Sequence, residues 1–122
     1  MPTYAVAPKS REISLEEAAV SGLAYVTAAS AFTESGGIST GETILVTGAA
    51  GGVGSAATMI ARWKGARVIG AIKDQTERAR AERAGVEVIV DTSREDIRSR
   101  TPLIQVARCR TRQYTVVARK PK

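Results

Sequence analysis

The sequence predicts an α/β fold built on a parallel sheet, and two observations carry that prediction. Three short runs, TILVTG (Thr43 to Gly48), ARVIGAI (Ala66 to Ile72) and VEVIVD (Val86 to Asp91), are β-branched and continuously apolar, the pattern of strands buried on both faces. The segments between them, Val53 to Lys64 and Thr76 to Gly85, have helical character and short links to the strands. Strand, helix, strand, helix, strand in that order implies right-handed crossovers and parallel pairing.

Each element has a local cause. TYAVAP (Thr3 to Pro8) reads as a short strand ended by its proline. Ser14 with Glu17 three residues on is a capping box, which opens an alanine-rich helical stretch, with Gly22 as a candidate break. Gly36, Gly37 and Gly41 make Glu34 to Glu42 a loop. In the next helix Val53, Ala56, Ala57, Ile60, Ala61 and Trp63 follow helical spacing, and Gly65 stops it. Gly85 closes the polar helix TERARAERAG. Beyond Asp91, SREDIRSR starts a helix that Pro102 interrupts, and YTVVA (Tyr114 to Ala118) is a candidate fourth strand.

Composition bounds the function. With 122 residues the chain makes one small domain. It has no histidine and one cysteine, Cys109, which excludes a zinc site of four Cys or His ligands, a histidine-based triad and an intrachain disulfide. No run approaches the roughly 18 apolar residues of a membrane span, and MPTYAVAPKS lacks the apolar block of a signal peptide, so the expected location is cytoplasmic. The net charge is +6, and the excess lies in the tail, where residues 97–122 hold basic side chains and no acid. With Tyr114 as its one aromatic, that tail lacks a base-stacking platform, which argues against nucleic acid as partner.

The chemistry-bearing motif is the turn between the first strand and its helix, Gly48-Ala49-Ala50-Gly51-Gly52-Val53-Gly54. It follows a strand, opens a helix and sits inside a strand–helix–strand unit, the setting of a Rossmann-type dinucleotide site. Gly51 and Gly52 let the backbone approach a pyrophosphate, Gly54 lets the helix pack on the strand, and the first-turn N–H groups face the anion. The first glycine of the usual triplet is Ala49 here, with Gly48 just before it. The alternative is a glycine turn used only for tight packing.

GETILVTGAAGGVGSAATMIARWKGARVIG resembles the nucleotide-binding domain of the medium-chain dehydrogenase/reductase superfamily, and the AAGGVG turn resembles its zinc-independent quinone oxidoreductase branch, which includes related enoyl reductases. LEEAAVSGLAYVTAASAF is similar to the segment joining that family's catalytic and cofactor domains, and ERARAERAGVEVIVDTSREDI continues the likeness. The resemblance implies a linking segment over residues 1–40, the first half of a doubly wound Rossmann domain over 41–97, and a basic tail over 98–122. The sheet is then incomplete, with three to four strands where the family has six. The tail is either a diverged fourth strand or a foreign, truncated end.

The resemblance also implies an NADPH-dependent reductase that passes hydride to a quinone or an activated alkene, a small-molecule substrate. Residues 48–54 would carry the pyrophosphate and Thr27 would lie near the nicotinamide. NAD-binding members place an acid at the end of the second strand; here that position is Ile72, followed by Lys73, a cation suited to a 2′-phosphate, with Arg78 one turn on. Against this, Glu77 falls where quinone reductases often place a basic residue, and Asp74 could hold a ribose. NADP is favoured over NAD, with no zinc. No catalytic residue is assigned. Such a segment should be incompetent alone, and the open sheet edge is a candidate homodimer contact. The alternatives are a non-catalytic dinucleotide- or phosphate-binding module, and an interaction protein that uses Arg108, Arg110, Arg112, Arg119, Lys120 and Lys122 on an acidic partner or nucleic acid.

Overall fold

The computed structural model describes residues 6–100 and the backbone of the strands at 105–107 and 117–120. In chain order the elements are α1 (Leu15–Glu34), β1 (Thr43–Thr47), α2 (Gly52–Trp63), β2 (Arg67–Ile72), α3 (Arg78–Ala84), β3 (Val88–Asp91), α4 (Ile97–Arg100), β4 (Gln105–Ala107) and β5 (Val117–Lys120). A 3₁₀ turn, Gln75–Glu77, leads into α3.

Ser14 caps α1 as the sequence requires. Its side chain accepts the Glu17 N–H at 3.1 Å, and the Glu17 carboxylate accepts the Ser14 N–H at 2.8 Å. Gly22 does not break the helix, contrary to expectation. A side chain there would meet nothing, so the position is simply exposed, and the roughly 1 kcal/mol cost of an interior glycine is outweighed by its alanine-rich neighbours. Ala28 and Phe32 bury one face of α1 against α2, while Val20, Leu23 and Val26 stay exposed.

The sheet order is β3-β2-β1-β5-β4. The three strands read from the sequence pair in parallel, Thr43 opposite Arg67 and Ile69 opposite Val88. These three strands and their helices make an incomplete Rossmann-like α/β fold. Ile44, Val46, Val68 and Ile72 from one sheet face close a core with Ala56, Ala57 and Ala61 of α2 and Ala81 of α3. Leu45 and Ala71 point the other way and meet Ile97 of α4.

The far side of β1 differs from expectation. Instead of one fourth strand there are two, and β5 runs antiparallel to β1, Val46 opposite Val117 and Thr43 opposite Lys120. A parallel partner needs a crossover of a dozen or more residues, whereas here β4 and β5 pair with each other antiparallel. The β1 edge expected to be open is therefore paired, and the outer strands are β3 and β4. The expected strand at Tyr114 to Ala118 overlaps β5 at 117–118, and residues 114–116 lie outside the described residues. At the other end, residues 6–8 form no strand and 1–5 lie outside the described residues.

The turn after β1 is fixed by absent side chains. A Cβ on Gly54 would stand 2.0 Å from the Gly48 carbonyl oxygen and 2.9 Å from the Ala49 Cα, and backbone atoms cannot step aside. A Cβ on Gly70 would stand 2.8 Å from the Ala49 methyl and 2.7 Å from Val86 Cγ1. Gly48 itself has φ +62°, in the left-handed region. A Cβ on Gly52, by contrast, would meet nothing within 4 Å. Urea unfolding should therefore separate the glycines. Gly54→Ala should cost about 3 kcal/mol or more, while Gly52→Ala, at an unstrained first helical position, should leave stability unchanged or raise it by up to about 1 kcal/mol.

Candidate functional site

Two loops meet at the carboxyl ends of β1 and β2. The first is the turn from Gly48 to Gly54. Its Ala49 N–H donates to the Ala71 carbonyl at 3.1 Å, which ties the turn to β2 two residues before Lys73. Gly51 closes the turn by donating to the Gly48 carbonyl at 2.9 Å. Gly51 is also the N-cap of α2, and with no side chain it leaves the first helical turn uncapped.

Among the described residues, the amides of Gly52, Val53 and Gly54 find no backbone or side-chain acceptor. Four N–H groups at any helix start lack intrahelical partners and are met by caps, water or a ligand. Here they are joined by the helix dipole, and no acid stands in the first turn of α2 to oppose an anion. Gly51 and Gly52 are exposed, so the backbone is open on that side. The donor set, charge and clearance fit a pyrophosphate. Ala49 and Ala50 are buried, and Val53 packs on the core, so these three offer backbone only. The missing first glycine of the motif is explained too: Gly48 makes the left-handed turn, and Ala49 is the residue that seats against Gly70.

The second loop follows β2. Asp74 caps the 3₁₀ turn, accepting the Thr76 N–H at 2.8 Å and the Thr76 hydroxyl. Glu77 turns back to accept the Lys73 N–H at 2.9 Å. Gln75 donates to Asp91 at 2.6 Å and accepts from Arg78 Nε at 2.8 Å. Asp91, buried at the end of β3, also accepts the Ser93 hydroxyl at 2.6 Å and the Ser93 N–H at 3.0 Å. Lys73 is exposed, and its ammonium has no carboxylate within 4 Å among the described residues. Lys73 and Arg78 thus share this loop with Asp74 and Glu77, and both carboxylates are engaged by the loop's own backbone.

Thr27 stands apart on α1. Its hydroxyl donates to the Leu23 carbonyl at 2.7 Å, and no hydrogen bond joins it to the turn. Gly70, Gln75 and Asp91 are the positions that sequence reasoning missed. A lone glycine inside a strand signals close approach by another backbone, and Asp91 ends an otherwise apolar strand; Gln75 carries no comparable signal. Cys109 and the tail cations Arg108, Arg110, Arg112 and Lys122 lie outside the described residues. Among the described residues no group of acids or cysteines is placed to hold a metal ion. Among the described residues no helix is long and apolar enough to cross a membrane.

No family model matches the chain. Among curated proteins, it is 39% identical over 87 residues to a phenolphthiocerol/phthiocerol polyketide synthase polypeptide of Mycobacterium tuberculosis, spanning 71% of this chain and 4% of that protein. Among solved structures, the quinone oxidoreductase of Pseudomonas syringae pv. tomato superposes with a TM-score of 0.71 at 33% identity, over 78% of this chain and 29% of that one. The Escherichia coli quinone oxidoreductase, solved with NADPH, gives 0.69 at 32% over 77% and 29%. A NAD-dependent alcohol dehydrogenase gives 0.67 at 34% over 79% and 29%. The chain therefore spans under a third of the length of these proteins.

Asp74 in the loop and Asp91 at the end of β3 make folding sensitive to acid. Hydrogen bonds from the Ser93 hydroxyl and then the Gln75 amide hold Asp91 below the usual carboxylate range, and those from the Thr76 hydroxyl and amide do the same for Asp74. Both therefore add stability above the unfolded carboxylate value of about 4, and that stability is lost as pH falls through the lowered values. In urea melts at stepped pH, Asp91→Asn should be less stable than the parent at pH 7, with a gap that shrinks below about pH 4; a constant gap would remove Asp91 as the cause. With its parallel strands, its glycine turn fixed at Gly48 and Gly54, and these likenesses over more than two-thirds of its length, the chain is similar to a segment of the quinone oxidoreductases of the medium-chain dehydrogenase/reductase superfamily.

Proposed function

We propose that the chain is the dinucleotide-binding segment of an NADPH-dependent reductase that passes hydride to a quinone or an activated alkene. One observation carries the cofactor reading. Gly52 is a glycine that the fold does not require, and it stands beside first-turn amides that have no acceptor among the described residues. A packing turn would explain Gly54 and leave Gly52 unexplained. A ligand backbone-close to the turn explains both.

In this reading the amides of Gly52, Val53 and Gly54 hold the pyrophosphate, with Gly48, Ala49, Ala50 and Gly51 shaping the turn. Lys73 and Arg78 face the 2′-phosphate, and Thr27 lies toward the nicotinamide. A bound nicotinamide would supply the hydride. The solved neighbour with NADPH supports NADP, and the free Lys73 ammonium agrees with it, while Glu77 and the NAD-dependent neighbour pull toward NAD. The lack of histidine and the single cysteine support chemistry without zinc in this segment, and a reducing compartment such as the cytoplasm. The outer strands β3 and β4 are the candidate contacts for a second copy.

Calorimetric titration with NADPH and NADH tests the reading. The parent should bind NADPH more tightly than NADH. Gly52→Asp should abolish both, because it brings a carboxylate to the pyrophosphate. Lys73→Ala should weaken NADPH by about tenfold and NADH hardly at all, the size of one charge-assisted contact. A folded parent that binds neither would leave the turn as a packing device.

A further inference from the structure

We propose that Asp91 and Gln75 are positioning residues that aim Arg78 at the 2′-phosphate of the cofactor, an inference that rests on the cofactor reading above. The observation is a directed chain of hydrogen bonds that crosses from the end of β3 to the start of α3. The Asp91 carboxylate accepts from Gln75 Nε2 at 2.6 Å, and Gln75 Oε1 accepts from Arg78 Nε at 2.8 Å.

The polarity of this chain leaves no freedom. An ionised carboxylate only accepts, so Gln75 must present its NH₂ to Asp91. Its carbonyl is then turned outward and can only accept, which suits a guanidinium. Asp91 is itself immobile. It is 2% exposed, and the Ser93 hydroxyl and N–H hold its other oxygen at 2.6 and 3.0 Å. The anchor is therefore in the sheet, and the lever reaches the Arg78 side chain at the first position of α3.

Nε is the inner nitrogen of the guanidinium. Fixing it leaves the outer pair to point away from Gln75, and the carboxylate nearest to them is Glu82 at 3.9 Å, a loose contact between exposed groups. An outer pair with a fixed plane and no tight partner is the geometry that takes a phosphate in two parallel hydrogen bonds. The same loop keeps its acids occupied. Asp74 is engaged by Thr76, and Glu77 by the Lys73 amide. The Asp91–Gln75 pair thus sets a direction for the cation that Lys73, with no carboxylate partner among the described residues, does not have.

The test uses the full chain and two pairs of probes that differ only by the 2′-phosphate: NADPH against NADH, and 2′,5′-ADP against 5′-AMP. Gln75→Ala should weaken NADPH and 2′,5′-ADP by about tenfold and leave their partners within about twofold. Arg78→Ala should give the same selective loss, and the double variant should lose no more than Arg78→Ala alone. Asp91→Asn provides the second route. The Ser93 N–H, which can only donate, keeps the carbonyl oxygen of the new amide on its own side, so the amide NH₂ faces Gln75, which turns over and presents its own NH₂ to Arg78; the selective loss should recur. Thermal melts of each variant check that the fold is kept. Equal weakening of both members of a pair, an unchanged affinity for NADPH in Gln75→Ala, or additive losses in the double variant would overturn the positioning role while leaving the cofactor reading intact. A parent that binds none of the four probes overturns both.

Discussion

The contact between Gly54 and the Gly48 carbonyl is the constraint on which the site depends. The helix α2 passes so close to the turn that no Cβ fits between them. That closeness sets where the axis of α2 starts relative to the end of β1, and so where its first-turn amides point. It is matched on the other side of the turn, where Ala49 seats on Gly70 and bonds to Ala71. The turn is gripped from both sides, and its few side chains face the core, which leaves a rigid donor surface made of backbone.

Packing and function divide cleanly among neighbouring residues. Gly48 and Gly54 serve the fold, one through its left-handed backbone and the other through its missing side chain. Gly52 serves neither need and faces open space. Beside it the loop after β2 is built from short polar bridges rather than apolar packing, and its anchor is a buried carboxylate in the next strand. Buried acids are kept where hydrogen bonds hold their charge, and such a group fixes geometry more than it adds stability. A preformed turn and a braced loop at adjacent strand ends are what a dinucleotide site needs, because its two recognition points lie on consecutive strands.

Most of the parallel half was readable from residue patterns. β1 and β2 fall where their β-branched runs place them, and α2 follows the spacing from Val53 to Trp63. β3 starts two residues later than the run suggests, because Val86 bonds back to Ala81 to close the helix cap at Gly85. Local patterns failed where the cause was non-local. Gly22 reads as a breaker, yet its neighbours carry the helix through. YTVVA gave part of β5, but β4 and the antiparallel direction of the β4–β5 ribbon have no signal in their own residues, since strand direction is decided by connection length and by the free edge of β1. In the site, the glycines were visible because their chemistry is a lack of side chain. Gln75 and Asp91 were not, because their partnership joins residues 16 positions apart.

In the proposed function the uncapped amides at the start of α2 form an anion site for a pyrophosphate. Amide chemical shifts of the ¹⁵N-labelled chain during addition of NADPH report on it residue by residue. The largest, saturable shifts should fall at Gly52, Val53 and Gly54, with smaller ones at Lys73 and Gln75 and none along the exposed face of α1 at Val20 and Leu23. Shifts confined to the basic tail, or no shift at Gly52 with the chain folded, would contradict the claim and leave the glycine turn as a feature of packing alone.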